Sequence, residues 1–346
     1  MKINKITIIA SLLSAITSSS YAETIAHPVN LNESTIKTAP VDDYKITIGA
    51  KPWQAETHFD YSFDSSGANN NYGNPTSELN FKNMKSSGLA ISINAENKES
   101  YHSVEFSVGK GSGSNGVIID DDYYSQDYVG AGNPTRFSRT ESDSKILKSY
   151  AFKYAHGLIF HPNNLFITDA RLGMGISVSQ DTFEADGLIV LEDPYNRYKN
   201  SIEPSVGRAL YDSSTPVLKL KTQTLLNSID LEWNKKWQDG FSVKLKTDAV
   251  YLGLVRTYDH HIKRTDLGDP SFVITTFNYG AKSDLSFAYT IEGLSFSLGA
   301  NYMYLRPYGY GQAEVFDETN TSQGGIPMIN HNISRIGYYA GVSYQF

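Results

Sequence analysis

Two pairs of side chains in this chain have the types and spacing to activate a water molecule. In VIIDDDYYSQD (residues 117–127), Asp120 and Asp122 stand two apart. In TYDHHIKR (residues 257–264), Asp259 and His261 do the same. Residues two apart in an extended chain point to the same side. Two close carboxylates can share a proton or hold a water between them. A carboxylate beside an imidazole fixes its tautomer and raises its basicity, which suits a general base acting on water. Each pair also has a plain alternative: a solvated acidic loop for the first, surface histidines near an acid for the second. A calcium loop of the EF-hand kind is not indicated, because its spaced ligands and bidentate Glu are missing. A zinc site on His260 and His261 is disfavoured, because neighbours in a strand point oppositely. The chain has no cysteine, which excludes disulfides and thiolate metal sites. No metal or cofactor is therefore expected at either pair.

The elements that must position these pairs read as strands. The chain opens MKINKITIIASLLSAITSSSYA. Lys2 and Lys5 form a basic start, an apolar stretch follows, and Ser20-Tyr21-Ala22 fits a small-x-small cleavage site. Residues 1–22 are expected to be a secretory signal peptide, with a single barrel domain over 23–346. Beyond residue 22 no apolar run is long enough to cross a bilayer as a helix. The formal charge of −7 argues against general nucleic-acid binding.

The last strand, ISRIGYYAGVSYQF, places Tyr338, Ala340, Val342, Tyr344 and Phe346 on one face. Gly337, Tyr339, Gly341, Ser343 and Gln345 fall on the other. That alternation, with 24 Tyr and 16 Phe in the chain, favours a transmembrane antiparallel up-and-down β-barrel over a soluble sandwich. Strands are expected near 44–64, 78–95, 102–119, 144–160, 165–190, 215–237, 240–259, 271–292, 294–315 and 332–346, an even number of about ten. Asn97-Lys98-Glu99, His161-Pro162-Asn163-Asn164, Gln238-Asp239-Gly240 and Glu292-Gly293 read as tight turns. The connections over 65–77, 112–143, 188–214, 260–270 and 316–331 read as long loops, all on one side, which the barrel rule places outside. A tilted strand needs only about 9–11 residues to cross a bilayer. Several runs here look twice that long, so they are expected to extend beyond the membrane as a wall around a cleft. Lys244, Lys246 and Asp248 read as part of a charged plug in the lumen. Strict alternation from Phe241 would turn Asp259 and His261 outward, unless a bulge near Val250–Leu254 resets the face.

The two pairs on opposite walls of a ten-strand ring resemble the omptin family of outer-membrane proteases. The resemblance rests on Asp120-Asp121-Asp122-Tyr123, with Tyr in place of the family's usual Trp, and on Asp259-His260-His261. It extends to NPTRFSRTES (133–142), which looks like the family's Asn-Pro segment leading to a Ser near the site, here Ser142. It implies a barrel whose long strands rise beyond the outer membrane, with an extracellular cleft that hydrolyses peptide bonds. Asp259 would orient His261, His261 would take a proton from water, and Asp120 and Asp122 would hold that water. Peptide or protein substrates at the cell surface, outer-membrane lipid and lipopolysaccharide are the implied partners, with lipopolysaccharide a requirement for activity in the family. The family's pocket acid two residues before the Asp of Asp-x-His is replaced by Thr257, and its first-strand acid matches Glu56 only with a one-residue shift. Preference for Arg or Lys is therefore not carried over. The competing reading is a non-enzymatic small barrel: an adhesin, a surface-binding protein or a degenerate omptin fold. A narrow channel or an outer-membrane acyl hydrolase is a further alternative, but no His–Ser arrangement supports the hydrolase.

Overall fold

The computed structural model describes residues 44–67, 71–112, 116–125, 135–162, 166–195 and 206–346. The expected signal peptide, the lead-in to the first strand and the Asn133-Pro134 segment lie outside the described residues. Among the described residues eleven strands make one antiparallel sheet: β1 (Lys45–Phe63), β2 (Tyr72–Glu96), β3 (Ser100–Gly111), β4 (Gly116–Tyr124), β5 (Thr135–Phe160), β6 (Asp169–Glu192), β7 (Ala209–Lys236), β8 (Phe241–His261), β9 (Leu267–Ile291), β10 (Leu294–Asp317) and β11 (Ser322–Gln345). The first strand pairs with both the second and the last, so the sheet closes into a ring. Closure leaves no edge of unpaired backbone groups, each of which would cost several kcal/mol in hydrocarbon.

The ring has ten wall positions, because β3 and β4 share one. Both lie between β2 and β5, β3 in the lower half and β4 in the upper. The break falls where the β2 register passes from Ser86↔Gly111 to Lys82↔Val117. Asn83 takes a left-handed φ of 58° there. Gly116 opens β4 where a Cβ would lie 2.2 Å from the Lys82 carbonyl oxygen, so only glycine permits this approach.

The lower half carries an apolar outer band. Ile46 and Ile48 on β1, Ile91 and Ile93 on β2, Met174 and Ile176 on β6, and Tyr338, Val342 and Tyr344 on β11 are all exposed. Inside it the lumen is filled by ion pairs: Lys153 bridges Asp230 (2.7 Å) and Asp248 (2.6 Å), and Arg171 joins Glu96 (2.5 Å) and Glu232 (3.4 Å). Lys246 stands 3.9 Å from Asp230, so the alternating charges of β8 form part of the plug. The expected tight turns at 97–99, 238–240 and 292–293 join strands at this end.

The strands rise well above the band, further than their sequence suggests. The connection expected over 112–143 is largely strand, since β4 and the upper part of β5 occupy it. Likewise β7 starts at Ala209, β9 at Leu267 and β11 at Ser322, inside segments read as loops. Above the membrane both faces of the wall tolerate polar side chains, so the alternation that marks a strand fades while the backbone ladder continues. Just above the band the interior is crossed by a packed layer. Phe59 on β1 stacks on Phe183 of β6 (5.6 Å between centroids) and meets Phe81 of β2 at 5.7 Å. Leu220, Ile274 and Leu305 complete it, all buried. The walls of the ring continue above this layer.

Candidate functional site

The face problem of β8 is solved by a bulge. Up to Val250, which is buried, even positions face the lumen. Tyr251 and Leu252 are then both exposed, at 44% each. The register with β9 jumps from Val250↔Gly280 to Gly253↔Asn278. From Gly253 upward the odd positions face inward, so Val255, Thr257 and Asp259 are buried. The extra residue turns Asp259 and His261 into the barrel.

Asp259 is 1% exposed and is held from two sides. Tyr61, from β1 across the barrel, donates its phenol hydrogen to Oδ2. The His261 Nδ1 stands 2.9 Å from Oδ1. The backbone N–H of His261 donates to the Ser271 hydroxyl at 3.0 Å, which anchors the top of β8 to β9. The imidazole packs against Phe272 (5.5 Å between centroids) but keeps 23% of its side chain exposed. Burial pulls the His261 pKa down, yet the Asp259 carboxylate beside it and the charge of Asp120 outweigh burial and hold it above 6.5. Burial, then the charges of Asp259 and Asp120, keep Tyr61 protonated far above the ordinary phenol range. The ladders agree, because Tyr61 pairs with Leu79 and Leu79 with Asp120 on the same rung.

On β4 the three aspartates divide by face. Ile118 is in the interior layer, so Asp120 and Asp122 follow it inward. Asp120 accepts from the Ser77 hydroxyl at 3.3 Å, and Asp122 from the Ser138 hydroxyl at 3.1 Å. Asp121 points to the outer face, where Arg139 grips it with two hydrogen bonds of 2.7 Å and Arg136 stands 3.7 Å away. The acidic run is therefore strand rather than solvated loop, and its middle member is a wall ion pair. His260 likewise points outward, to Asp269.

Three expected positions need correcting. Glu56 lies on the outer face of β1, 3.2 Å from His58 Nε2, while its neighbour Thr57 faces in; the period of two excludes it from the cleft. Ser142 faces inward but pairs in register with Ile118, below the carboxylates. The hydroxyl on Asp122 belongs instead to Ser138, directly opposite in the ladder. Thr257 faces inward but is fully buried, bonded to Thr222 (2.9 Å) and His331 Nε2 (3.2 Å), so it is part of the floor rather than an open pocket wall.

Tyr61, Ser138 and His331 carry no signal in sequence. Each lies on a readable strand face, but its partner is far away in the chain. The described residues contain no group of three metal-ligating side chains.

A closed antiparallel ring with an apolar outer band and a charged lumen is the fold of the bacterial outer-membrane β-barrels. The crystal structure of the outer membrane protease OmpT from Escherichia coli is similar to this chain, with a TM-score of 0.62 at 16% identity, covering 90% of this chain and all of that one. Neisserial surface protein A (NspA) aligns at a TM-score of 0.27 and 8% identity, over 87% of this chain and 97% of its own. OprG from Pseudomonas aeruginosa aligns at 0.30 and 12%, over 87% and 95%. No protein-family model and no curated protein sequence matches the chain.

Proposed function

We propose that this chain is an endopeptidase of the outer membrane, with its cleft on the extracellular side. One observation carries the reading: Tyr61, whose phenol bonds the Asp259 of the Asp259–His261 pair, lies on the same rung of the wall as Asp120, through Leu79. Tyr61 and His261 leave Asp259 little freedom, and with its Nδ1 on Asp259 the imidazole has its other nitrogen left for water. That nitrogen is the base that takes a proton from water. Asp120 and Asp122, steadied by Ser77 and Ser138, hold the water for attack on the scissile carbonyl, and His261 returns the proton to the leaving amine as the tetrahedral intermediate collapses. The attack needs no nucleophilic serine and forms no covalent intermediate. Proton transfer to a placed base supplies about 10²–10⁴-fold of rate. The fold likeness to OmpT, itself a protease, agrees with the reading.

Lipopolysaccharide fits as a partner of the outer wall. Lys219, Lys221 and Arg256 project outward just above the apolar band, with Lys221 5.9 Å and Arg256 5.2 Å from the Tyr258 ring. Such a cationic and aromatic stripe suits lipid phosphates.

The test is cleavage of a peptide pool by full-length protein refolded with lipopolysaccharide, beside His261→Ala and Asp122→Ala. Cleavage lost in both variants supports the proposal, and unchanged cleavage removes it. A non-enzymatic surface barrel is the second reading. It is favoured by the sealed floor beneath the pair, where Thr257 and His331 are wholly buried. Absence of cleavage by the refolded wild type, with or without lipopolysaccharide, would select it.

A further inference from the structure

The surface a substrate side chain meets beside His261 has a definite chemistry. One rung below Asp259, the floor is built from hydroxyls and one imidazole. Thr57, Thr222, Thr257, Thr276 and His331 are all 0–2% exposed. Four of them are hydrogen-bonded in a row: Thr222 to Thr257 at 2.9 Å, Thr257 to His331 at 3.2 Å, and Thr276 to the other ring nitrogen at 2.6 Å. Asn278 donates to the His331 carbonyl at 3.0 Å. Burial holds the His331 pKa at about 3, so this ring is neutral at any ordinary pH.

No carboxylate enters this layer from Thr57 or Thr257. Arg335, opposite Thr57 in the ladder, donates to the Thr57 hydroxyl at 2.9 Å and is paired with Asp181 at 2.9 Å. Beside His261 the reachable surface is aromatic. Phe272 touches the imidazole, and Phe63 meets Phe272 at 5.8 Å; both are half-buried.

We propose that this cleft selects an uncharged, apolar side chain next to the scissile bond, received on the Phe63–Phe272 shelf over the closed Thr257–His331 floor, and rejects Lys and Arg there. The inference rests on the peptidase reading and adds its substrate class. A basic head group on this floor would lose its water and meet hydroxyls and a neutral imidazole already bonded to one another, with no carboxylate at Thr57 or Thr257 to pair it. An apolar side chain loses nothing on the same surface and covers two aromatic rings. The acidic Asp120, Asp122 and Asp259 attract basic peptides in general, so the preference must be read at matched charge.

Two measurements test it. The first maps cut sites by mass spectrometry in a degenerate peptide pool, using wild-type protein with lipopolysaccharide and His261→Ala as the blank. Apolar residues are expected beside the cut, with Lys and Arg depleted about ten-fold or more, the discrimination usual for a pocket of this kind. The second needs no activity. It compares binding to His261→Ala of two labelled isomeric peptides, one with Phe at its centre and Arg at its end, the other with these exchanged. The central-Phe isomer is expected to bind about ten-fold tighter. Cuts beside Lys or Arg, equal or tighter binding of the central-Arg isomer, or binding of neither, would overturn the inference. No cleavage together with the expected binding preference would remove the peptidase reading and leave the apolar shelf standing.

Discussion

Tyr61 and Asp259 are 198 residues apart in the chain, yet the Tyr61 phenol donates to the Asp259 carboxylate across the interior of the barrel. This bond ties the first strand to the eighth above the packed aromatic layer. It also leaves the second oxygen of Asp259 to face His261. The pair is thus positioned by the closed ring and not by the loop around it.

Tyr61→Phe should therefore weaken both stability and catalysis. The variant loses a hydrogen bond to a buried carboxylate, a change of about 1.5–3 kcal/mol. Denaturant unfolding of the refolded barrel should show the loss. Freed of that donor, Asp259 should attract the His261 proton more strongly, so the acid limb of the rate profile should move to higher pH. A limb that stays in place would show that Tyr61 only packs.

The pH dependence follows from the direction of the His261 shift. Its folded pKa lies above 6.5, so the Asp259–His261 pair stabilises the fold fully below pH 6.5 and loses that contribution as pH rises through the folded value. Activity runs the other way, because only neutral imidazole accepts a proton. kcat/KM should rise with pH through a pKa above 6.5. In Asp120→Asn that limb should move to lower pH, since one charge that holds the proton on His261 is gone. An unmoved limb would place Asp120 too far from the imidazole to share a water with it.

Hydroxyl variants should separate Ser138 from Ser142. Ser138 donates to Asp122 at 3.1 Å, whereas Ser142 stands opposite Ile118. Ser138→Ala should reduce kcat several-fold with little change in KM, and Ser142→Ala should leave both near wild type. Equal losses would mean that the upper register differs from Asp122↔Ser138.

Chelation should have no effect on cleavage. Among the described residues no set of three ligands converges, and His260 and His261 lie on opposite faces of β8. Loss of activity in a chelator, restored by zinc, would require a different mechanism.

The filled lumen makes a fifth expectation. Lys153, Asp230, Asp248, Arg171 and Glu232 close the barrel inside the apolar band. Planar bilayers containing the protein should show no stable conductance. Substituting Lys153 by Ala would take the shortest ion-pair partner from two buried carboxylates and should destabilise the barrel by several kcal/mol.

Some of this was readable in the chain. The alternation of Tyr338, Val342 and Tyr344, the turns at 97–99, 238–240 and 292–293, and the length of the strands specify a closed barrel with tall walls, because a period of two is a local property of the backbone. The same period put Asp120 and Asp122 on one side, and Asp259 with His261. What local spacing cannot encode is where a strand changes face or which distant strand it meets. The bulge at Tyr251–Leu252 is visible as a blur in the pattern, but its effect on Asp259 depends on the ladders with β7 and β9. Glu56 and Thr57 differ by one position, and only the ring decides which of them faces the cleft. The donor on Asp259, the hydroxyl on Asp122 and the neutral floor under Thr257 come from β1, β5 and β11, brought together by closure. Residue order fixed the faces of each strand; the tertiary structure chose the inside, because only a closed sheet has one.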